Sequence, residues 1–234
     1  MLIEIPSRKR PNWLFNTLCQ LSAIDIPGEV DGLVIVASEP TADLHEGVGS
    51  MLEALGRRWP VRVLSVGAEA SLPNKHQAVL ECGLPAREVM ILHDDLVLTV
   101  RFFHELLEAF TEDVGAVAGL YPLLAGQPVP MLPIDYMHYP QFQGKLADAT
   151  NWHQVFWYPD TDTVPVRDDI EHLFGPYLYR RKALEDAGGF PVNQYSRVSH
   201  REETDVTGRI KEAGWRLAVA KRAVAYHCMT PYGG

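Results

Sequence analysis

Three polar residues stand together after an apolar run, since His93, Asp94 and Asp95 follow the segment REVMIL. Adjacent carboxylates can hold a hard divalent cation through oxygen while leaving coordination positions open for the phosphate oxygens of a substrate. Magnesium and manganese suit such a site. A simpler alternative is that one aspartate caps the helix predicted over the following segment, TVRFFHELLEAF.

A second acidic group lies in the segment HREETDVTGRIKEAGW. Glu202, Glu203 and Asp205 fall in the first turn of a predicted helix, where the helix dipole favours negative charge. The group could therefore bear chemistry or could only stabilise the end of a helix. His227 ends an apolar run further along the chain, and a lone histidine there is either a ligand or a structural residue. Together, these three features are more specific than any one of them alone.

The elements that must position these residues alternate between strands and helices. Short apolar runs predict strands, and apolar residues at helical spacing predict helices. The predicted strands are 2–6, 32–38, 61–66, 87–95 and 115–122, the predicted helices are 11–21, 48–58, 74–82, 102–110 and 201–213, and 215–227 is extended. We expect a single α/β domain with a mostly parallel central sheet flanked by helices. Because open parallel sheets bind ligands beyond the carboxyl ends of their strands, the carboxylates after the fourth strand mark the predicted site.

The order of these features resembles that of the family-two glycosyltransferases of the GT-A (Rossmann-like) fold, over nearly all of the chain. The matching segments are IPSRKRP, VIVASEP, ILHDDL and LYRRKALEDAGGF. The family pattern continues with an acidic pair, an arginine, a glycine-aromatic pair and a final histidine, matched by Glu202-Glu203, Arg209, Gly214-Trp215 and His227. The segment SLPNKHQAVLECGLPAREVMILHDDL is also, more faintly, similar to the donor-binding region of exostosin-like transferases.

The resemblance implies a metal-dependent glycosyltransferase that moves a sugar from a nucleotide-diphosphate donor to an acceptor hydroxyl with inversion. It implies Mn²⁺ or Mg²⁺ bound by Asp95, with His227 and His93 as further candidate ligands. It also implies Glu203 as the carboxylate base, with Glu202 second. The chain departs from the family at both motifs, because it has His-Asp-Asp where many relatives have Asp-x-Asp, and Glu-Glu where Glu-Asp is common.

The resemblance further implies a set of residues that bind the nucleotide sugar. They are Pro6, Ser7, Arg8, Ser38, Glu39, Asn74, Lys75, Asp94 and Gly175. Pro6, Ser7 and Arg8 would lie beside the base and ribose, and Lys75 would contact the diphosphate. Arg8 and Lys75 could instead be solvated surface charges, and Gly175 could belong to an ordinary turn.

Between about 123 and 172 the composition shifts to Pro, aromatic, Gln, His and Asp residues without a clear period. Such a long irregular segment in a compact domain is usually functional or mobile, and the alternative is a variable surface insertion stabilised by its aromatic residues. Trp152, Trp157 and Tyr158 are candidates for an acceptor-binding platform, with core packing as the alternative. We expect 1–122 to form the donor-binding half of the domain and 123–234 the acceptor-binding and catalytic half.

The composition supports one core in a chain of 234 residues, of which 47% are hydrophobic. A formal net charge of −9 gives no general attraction to unmodified nucleic acid or to an anionic membrane. Cys19, Cys82 and Cys228 fit neither a disulfide framework nor a zinc motif. No apolar run has the length of a signal peptide or a membrane span, so we expect a cytoplasmic protein without an integral membrane segment. The expected partners are a nucleotide sugar and an acceptor.

Three other functions would use some of the same residues. A sugar nucleotidyltransferase would normally carry a glycine-rich loop after the first strand to bind triphosphate, and IPSRKRP has no glycine. A metal phosphohydrolase would usually place its His-Asp pair on a helix, whereas VMIL before His93 predicts a strand. A non-catalytic carbohydrate-binding module would bind sugar without metal-dependent release of a nucleoside diphosphate.

Overall fold

The computed structural model describes residues 1–38, 46–120, 166–167, 173, 176–192 and 202–228. The strands are β1 Leu2–Ser7, β2 Gly32–Ala37, β3 Val61–Ser65, β4 Glu88–Ile91, β5 Leu96–Leu98, β6 Val114–Leu120, β7 Val166–Arg167, β8 Tyr177–Arg180 and β9 Arg216–His227. The helices are α1 Pro11–Ala23, α2 Glu46–Gly56, α3 Leu72–Leu80, α4 Phe102–Glu108, α5 Arg181–Asp186 and α6 Glu202–Glu212.

The described strands form one sheet in the order β3-β2-β1-β4-β8-β6-β9-β5, with β7 also paired to β9. Strands β1, β2, β3, β4, β6 and β9 run in one direction, and β5, β7 and β8 run against them. The predicted α/β fold with a mostly parallel sheet is confirmed. The antiparallel strand β8 between β4 and β6 was not predicted as a strand.

Apolar residues on both faces of the sheet pack against the helices that cover each face. Ile3 and Ile5 of β1 belong to a buried cluster that includes residues of α1, α2 and α4. On the other face, a second cluster joins Tyr179 of β8 to α5 and α6, and a smaller third cluster includes Val79 of α3. Strands buried on both faces read as continuous apolar runs, which is why GLVIVA and VGAVAGL are apolar throughout.

Local sequence signals set several element boundaries. Pro11 opens α1, where its missing N–H costs nothing. The hydroxyl of Ser71 caps α3 by accepting a hydrogen bond from the Asn74 N–H. Gly214, with φ +93, follows α6 in a conformation that side-chain-bearing residues rarely adopt.

The predicted strand 87–95 is shorter in the structure. Strand β4 ends at Ile91, the two aspartates form a turn, and the three residues of β5 follow. The chain therefore reverses direction at the acidic cluster and continues as β5 at the end of the sheet. None of the helices that the structure describes is long and apolar enough to cross a membrane.

Candidate active site

The two aspartates lie in the turn between β4 and β5. The last main-chain bond before the turn joins the Leu92 N–H to the Glu4 carbonyl at 2.9 Å, so the turn begins where β4 leaves its partner β1. Asp94 is 0% exposed and Asp95 is 1% exposed. Carboxylates are almost never this deeply buried without partners, so the surrounding groups decide what the turn can do.

Arg10 spans both carboxylates. Its Nη2 atom lies 2.6 Å from Asp94 Oδ1, and its Nη1 atom lies 2.6 Å from Asp95 Oδ2. Arg10 immediately precedes α1 and was absent from the predicted site. The available signal was its place as the last arginine before Pro11 in IPSRKRP, but only the fold brings it to residues 85 positions away.

Ser7 connects the end of β1 to several of the predicted residues. Its hydroxyl donates to Asp94 Oδ2 at 2.7 Å, and its carbonyl accepts from Lys75 Nζ at 3.0 Å and from the Ser38 N–H at 3.2 Å. Lys75 is 5% exposed, which rules out the alternative of a solvated surface charge. Ser38 is buried as well, and within the described residues its Oγ atom has no hydrogen-bond partner.

Helix α1 holds the backbone of the same turn. Thr17 Oγ1 donates to the Asp94 carbonyl at 2.9 Å. The side-chain amide of Gln20 donates to the Leu96 carbonyl and accepts from the Leu98 N–H, both at 2.7 Å. Gln20 thus satisfies main-chain groups of β5, which stands at the end of the sheet. Thr17 and Gln20 were absent from the predicted site, because both look like ordinary residues of an amphipathic helix.

Strand β9 brings His227 to Asp95 across 132 positions of sequence. His227 pairs with Leu96 in the antiparallel ladder, and the next N–H, that of Cys228, donates to the Asp95 carbonyl at 2.9 Å. His227 Nε2 lies 3.3 Å from Asp95 Oδ2. The two predicted metal ligands are therefore neighbours in the fold.

The surroundings separate the pKa values of the residues in this cluster. Burial raises the pKa of Asp94 to about 6, against the opposing charge of Arg10. Burial also acts to raise the pKa of Asp95, but the hydrogen bond with His227 and the nearby positive charges outweigh it and lower that pKa to about 2. Burial lowers the pKa of His93 to about 4. At neutral pH Asp95 is an anion and the imidazole of His93 is uncharged, which is the form that can bind a metal.

The cluster fits a divalent cation that takes most of its ligands from a substrate. Asp95 Oδ1 is buried, and no hydrogen bond to it is made by any residue that the structure describes. In the same residues, no group of three or more His, Cys, Asp or Glu side chains is placed to hold an ion. Mg²⁺ and its analogues are commonly held by one or two carboxylates plus substrate phosphates and water. Asp95 Oδ1, with His227 beside it, provides the protein carboxylate oxygen that such a site needs.

The second acidic group begins α6. Glu202 is 5% exposed and Glu203 is half-buried. The Glu203 carbonyl accepts a hydrogen bond from Thr207 Oγ1 at 2.7 Å, and Thr207 Oγ1 in turn accepts from the Leu173 N–H at 3.0 Å. Burial first, and then the negative charges of Glu203 and Glu202, raise the pKa of Tyr179. The acidic pair therefore lies beside the inner strand β8.

Arg209 ties α6 to the turn that follows α5. Its Nη2 atom donates to the Gly189 carbonyl at 3.0 Å, its Nη1 atom donates to the Ala187 carbonyl, and its side chain pairs with Asp205. Gly189, at φ +73, has a backbone conformation that favours glycine. Arg209 thus fixes the position of the acidic pair relative to the GGF segment.

The arginines of the LYRR segment have structural partners. Arg180 donates to the carbonyls of Val114 and Thr111 at 3.2 and 2.9 Å. Arg181 donates to the carbonyls of Leu80 and Leu84, and so satisfies main-chain oxygens at and beyond the end of α3. This motif therefore joins β8 and α5 to their neighbours rather than supplying charge to the site.

The remaining predicted residues have varied positions. Pro6 is buried in β1, Asn74 accepts from the Ser71 hydroxyl at 2.7 Å, and Arg8 is half-buried without an ion pair to any described residue. Five predicted residues lie outside the described residues: Glu39, Gly175, Trp152, Trp157 and Tyr158.

Comparisons with known proteins give structural neighbours only. No family model matches the sequence, and no curated protein matches it. The mannosyltransferase PcManGT from Pyrobaculum calidifontis, solved with GDP-Man and Mn²⁺, has a TM-score of 0.65 and 15% identity over 99% of this chain. GalNAc-T7 with UDP, GalNAc and Mn²⁺ has a TM-score of 0.68 and 11% identity over 97% of this chain. S. aureus TarS with UDP-GlcNAc has a TM-score of 0.64 and 12% identity over 98% of this chain.

These matches show that the chain has the GT-A fold of glycosyltransferases. It covers 57%, 43% and 58% of the three neighbouring chains, so it spans about half of their length. The GT-A resemblance inferred from the sequence motifs is confirmed.

Proposed function

We propose that this protein is a metal-dependent, hexosyltransferase-like glycosyltransferase that uses a nucleotide-diphosphate sugar. One observation carries the proposal. In a GT-A fold, buried Asp95 lies in the turn after β4, with one carboxylate oxygen lacking a hydrogen bond from the described residues and with His227 Nε2 at 3.3 Å from the other. Two of the structural neighbours were solved with Mn²⁺ together with GDP-Man or with UDP and GalNAc, which supports this choice.

Asp95 and His227 would hold Mn²⁺ or Mg²⁺, with His93 as a further candidate ligand. A divalent cation supplies Lewis-acid stabilisation of the negative charge that develops on a leaving diphosphate. The chain itself adds the guanidinium of Arg10, which offsets the charge of the two buried aspartates. Arg10 therefore lets two carboxylates share one small buried space.

The nucleotide sugar would lie along the ends of β1 and β2 and the start of α3. Ser7 and Lys75 are joined there by hydrogen bonds, and Ser38 follows β2 with a buried hydroxyl. We assign Pro6, Ser7, Arg8, Ser38, Glu39, Asn74, Lys75, Asp94 and Gly175 to this part of the site. Residues 1–122 would thus bind the donor, and 123–234 the acceptor.

Glu203 is the proposed base, and Glu202 is the second candidate. In an inverting displacement the acceptor oxygen forms a bond to the anomeric carbon, the carboxylate takes the hydroxyl proton, and the bond from that carbon to the diphosphate oxygen breaks. Glu203 is half-buried at the start of α6, whereas Glu202 is 5% exposed, so Glu203 is the more open of the two to an acceptor.

Substitution of each glutamate by glutamine distinguishes the two assignments. Because a positioned base contributes about 10²- to 10⁴-fold, we expect Glu203→Gln to lower kcat in that range while donor affinity stays the same. Glu202→Gln is the matched control and should retain most of the rate. The reverse result would assign the base to Glu202, and full activity in both variants would refute a base in this pair.

Release of nucleoside diphosphate from a panel of nucleotide sugars tests the proposed activity. We expect release with Mn²⁺ and none after EDTA treatment. Release that continues unchanged in EDTA would reject the metal-dependent mechanism. Pyrophosphate formation from a sugar 1-phosphate and a nucleoside triphosphate would instead identify a nucleotidyltransferase, and sugar binding without any release would identify a carbohydrate-binding module.

A further inference from the structure

A buried acid–histidine pair lies outside the residues assigned above. Glu4, in the middle of β1, is 0% exposed, and His76 in α3 is 4% exposed. Glu4 Oε1 lies 2.5 Å from His76 Nδ1. On the same face of the sheet, Leu2 and Val79 belong to an apolar cluster. Glu4 and His76 are therefore buried polar side chains next to an apolar cluster.

Packing does not explain this pair. Removing a carboxylate and an imidazole from water costs free energy, and an apolar pair of similar shape often stabilises a fold equally well or better. Moreover, within the described part of the chain Glu4 Oε2 has no hydrogen-bond partner. The bond to Glu4 is the only hydrogen bond of the His76 ring to those residues. Unpartnered buried polar atoms call for an explanation such as a catalytic role or a bound molecule.

Hydrogen bonds connect the residue next to His76 with the aspartate turn. Lys75, the residue before His76, donates to the Ser7 carbonyl at 3.0 Å. The Ser7 hydroxyl donates to Asp94 Oδ2 at 2.7 Å. The first turns of α3 are thus joined to the proposed metal-binding turn through one residue of β1.

Aromatic contacts connect His76 with Tyr179, which lies beside the acidic start of α6. The ring of Phe190 is 4.9 Å from the His76 ring and 6.0 Å from the Tyr179 ring. Burial first, and then the negative charges of Glu203, Glu202 and Glu4, raise the pKa of the Tyr179 phenol. These contacts connect the pair to the aspartate turn on one side and to the surroundings of the acidic pair on the other, so the proposed function would hold the transferred sugar near it.

We infer that His76 binds a hydroxyl group of the sugar of the donor, and that Glu4 positions His76 for this contact. This inference rests on the function proposed above. The bond from Glu4 to Nδ1 fixes the orientation of the ring and leaves Nε2 for a ligand. A sugar hydroxyl suits that nitrogen because it can both donate and accept a hydrogen bond. His76 is then a specificity-determining residue, and Glu4 is a positioning residue that acts through it.

Two variants separate this role from a structural one. His76→Asn keeps an amide near the position of Nδ1 for Glu4 but has nothing at the position of Nε2. The double substitution Glu4→Met with His76→Phe replaces the whole pair with apolar side chains, so it should fold even if the single variant does not. His104→Asn is the matched control, because His104 also bonds a carboxylate, that of Asp25, at 2.8 Å on the surface.

The test measures, by calorimetric titration with Mn²⁺ present, the Kd of a nucleotide sugar and of the matching nucleoside diphosphate. We expect both variants to bind the nucleotide sugar about tenfold more weakly than the wild type, as for one lost hydrogen bond, and to bind the nucleoside diphosphate equally well. His104→Asn should bind both ligands as the wild type does.

Other outcomes overturn the inference in different ways. If the double variant binds the nucleotide sugar like the wild type, the pair is structural. If both ligands lose affinity equally, the pair does not contact the sugar. If the wild type itself shows no metal-dependent binding of any nucleotide sugar, the proposed function fails, and that failure is distinct from an effect of the variants.

Discussion

The guanidinium of Arg10 offsets part of the buried negative charge of the aspartate turn. Asp94 and Asp95 are almost completely buried, and each has a 2.6 Å contact with the guanidinium. Breaking a buried ion pair by removing one partner costs about 3–5 kcal/mol, because the other charge stays buried without compensation. A bound divalent cation would restore that compensation. Arg10 and the proposed metal would therefore be linked through the same two carboxylates.

This linkage predicts the behaviour of Arg10→Met. In EDTA its free energy of unfolding should fall by about 3 kcal/mol. Mn²⁺ should then stabilise the variant more than it stabilises the wild type, as measured by denaturant unfolding with and without metal. Arg57→Met is the control, because Arg57 pairs with Glu53 on an exposed helix face and such pairs contribute about 0–1 kcal/mol. Equal metal responses in Arg10→Met and wild type would contradict the linkage.

At the scale of elements, α1 sets the position of the turn through side chains. Gln20 satisfies the Leu96 carbonyl and the Leu98 N–H, and β5 stands at the end of the sheet. Strand β5 has only three residues, so its own ladder with β9 gives it little support. We therefore expect Gln20 to help hold β5, and with it the turn that carries Asp95, in place.

Gln20→Met should weaken the apparent affinity for Mn²⁺ about 10- to 100-fold, the range seen when groups that orient metal ligands are lost. Unfolding free energy should fall by about 1–3 kcal/mol, because two main-chain groups lose their partner. Metal titration of the thermal midpoint in the presence of a nucleoside diphosphate measures the first effect. Gln77→Met is the control, since among the described residues that amide donates to Glu81 on the surface. An unchanged Mn²⁺ affinity in Gln20→Met would show that β5 holds its position without α1.

Strands β6 and β9 approach each other closely at Gly119. A Cβ atom added at Gly119 would lie 2.4 Å from the Ala223 carbonyl oxygen and 2.8 Å from a ring carbon of Phe102. We expect Gly119→Ala to destabilise the fold by about 1–3 kcal/mol, because it forces β6 and β9 apart. Gly49→Ala, in α2 with nothing within 4 Å, should stabilise it by about 0.5–1 kcal/mol. Thermal and denaturant unfolding of the two variants would test this contrast, and equal stability would contradict it.

The sequence predicted elements with a strong period better than those without one. Residues 2–6, 32–38 and 61–66 lie in or beside strands, and the extended run 215–227 matches β9 within one residue. Strand β5 was not predicted because LVL is too short to show alternation. Strand β8 was not predicted because its pairing with β4 and β6 is non-local. Similarly, Asp95 and His227 were predicted from motif order, whereas Arg10, Thr17 and Gln20 act through contacts that only the tertiary fold creates.

On the scale of the whole molecule, the sheet brings three parts of the chain that are distant in sequence to one edge. The ends of β1 and β4, the start of α1 and the end of β9 meet at Asp94 and Asp95. This convergence at the carboxyl ends of parallel strands is where α/β sheets bind ligands. This edge of the GT-A fold is where we propose that a metal and a nucleotide sugar bind.

The most direct test of metal-dependent donor binding is a thermal-shift panel of nucleoside diphosphates and nucleotide sugars, each with Mn²⁺ and with EDTA. A ligand that binds only the native state raises its stability, by about 2.7 kcal/mol at a concentration 100 times the Kd. We predict that one nucleotide raises the thermal midpoint with Mn²⁺ but not with EDTA, and that Asp95→Asn abolishes this shift. No shift across the panel, or an equal shift in EDTA, would contradict the account.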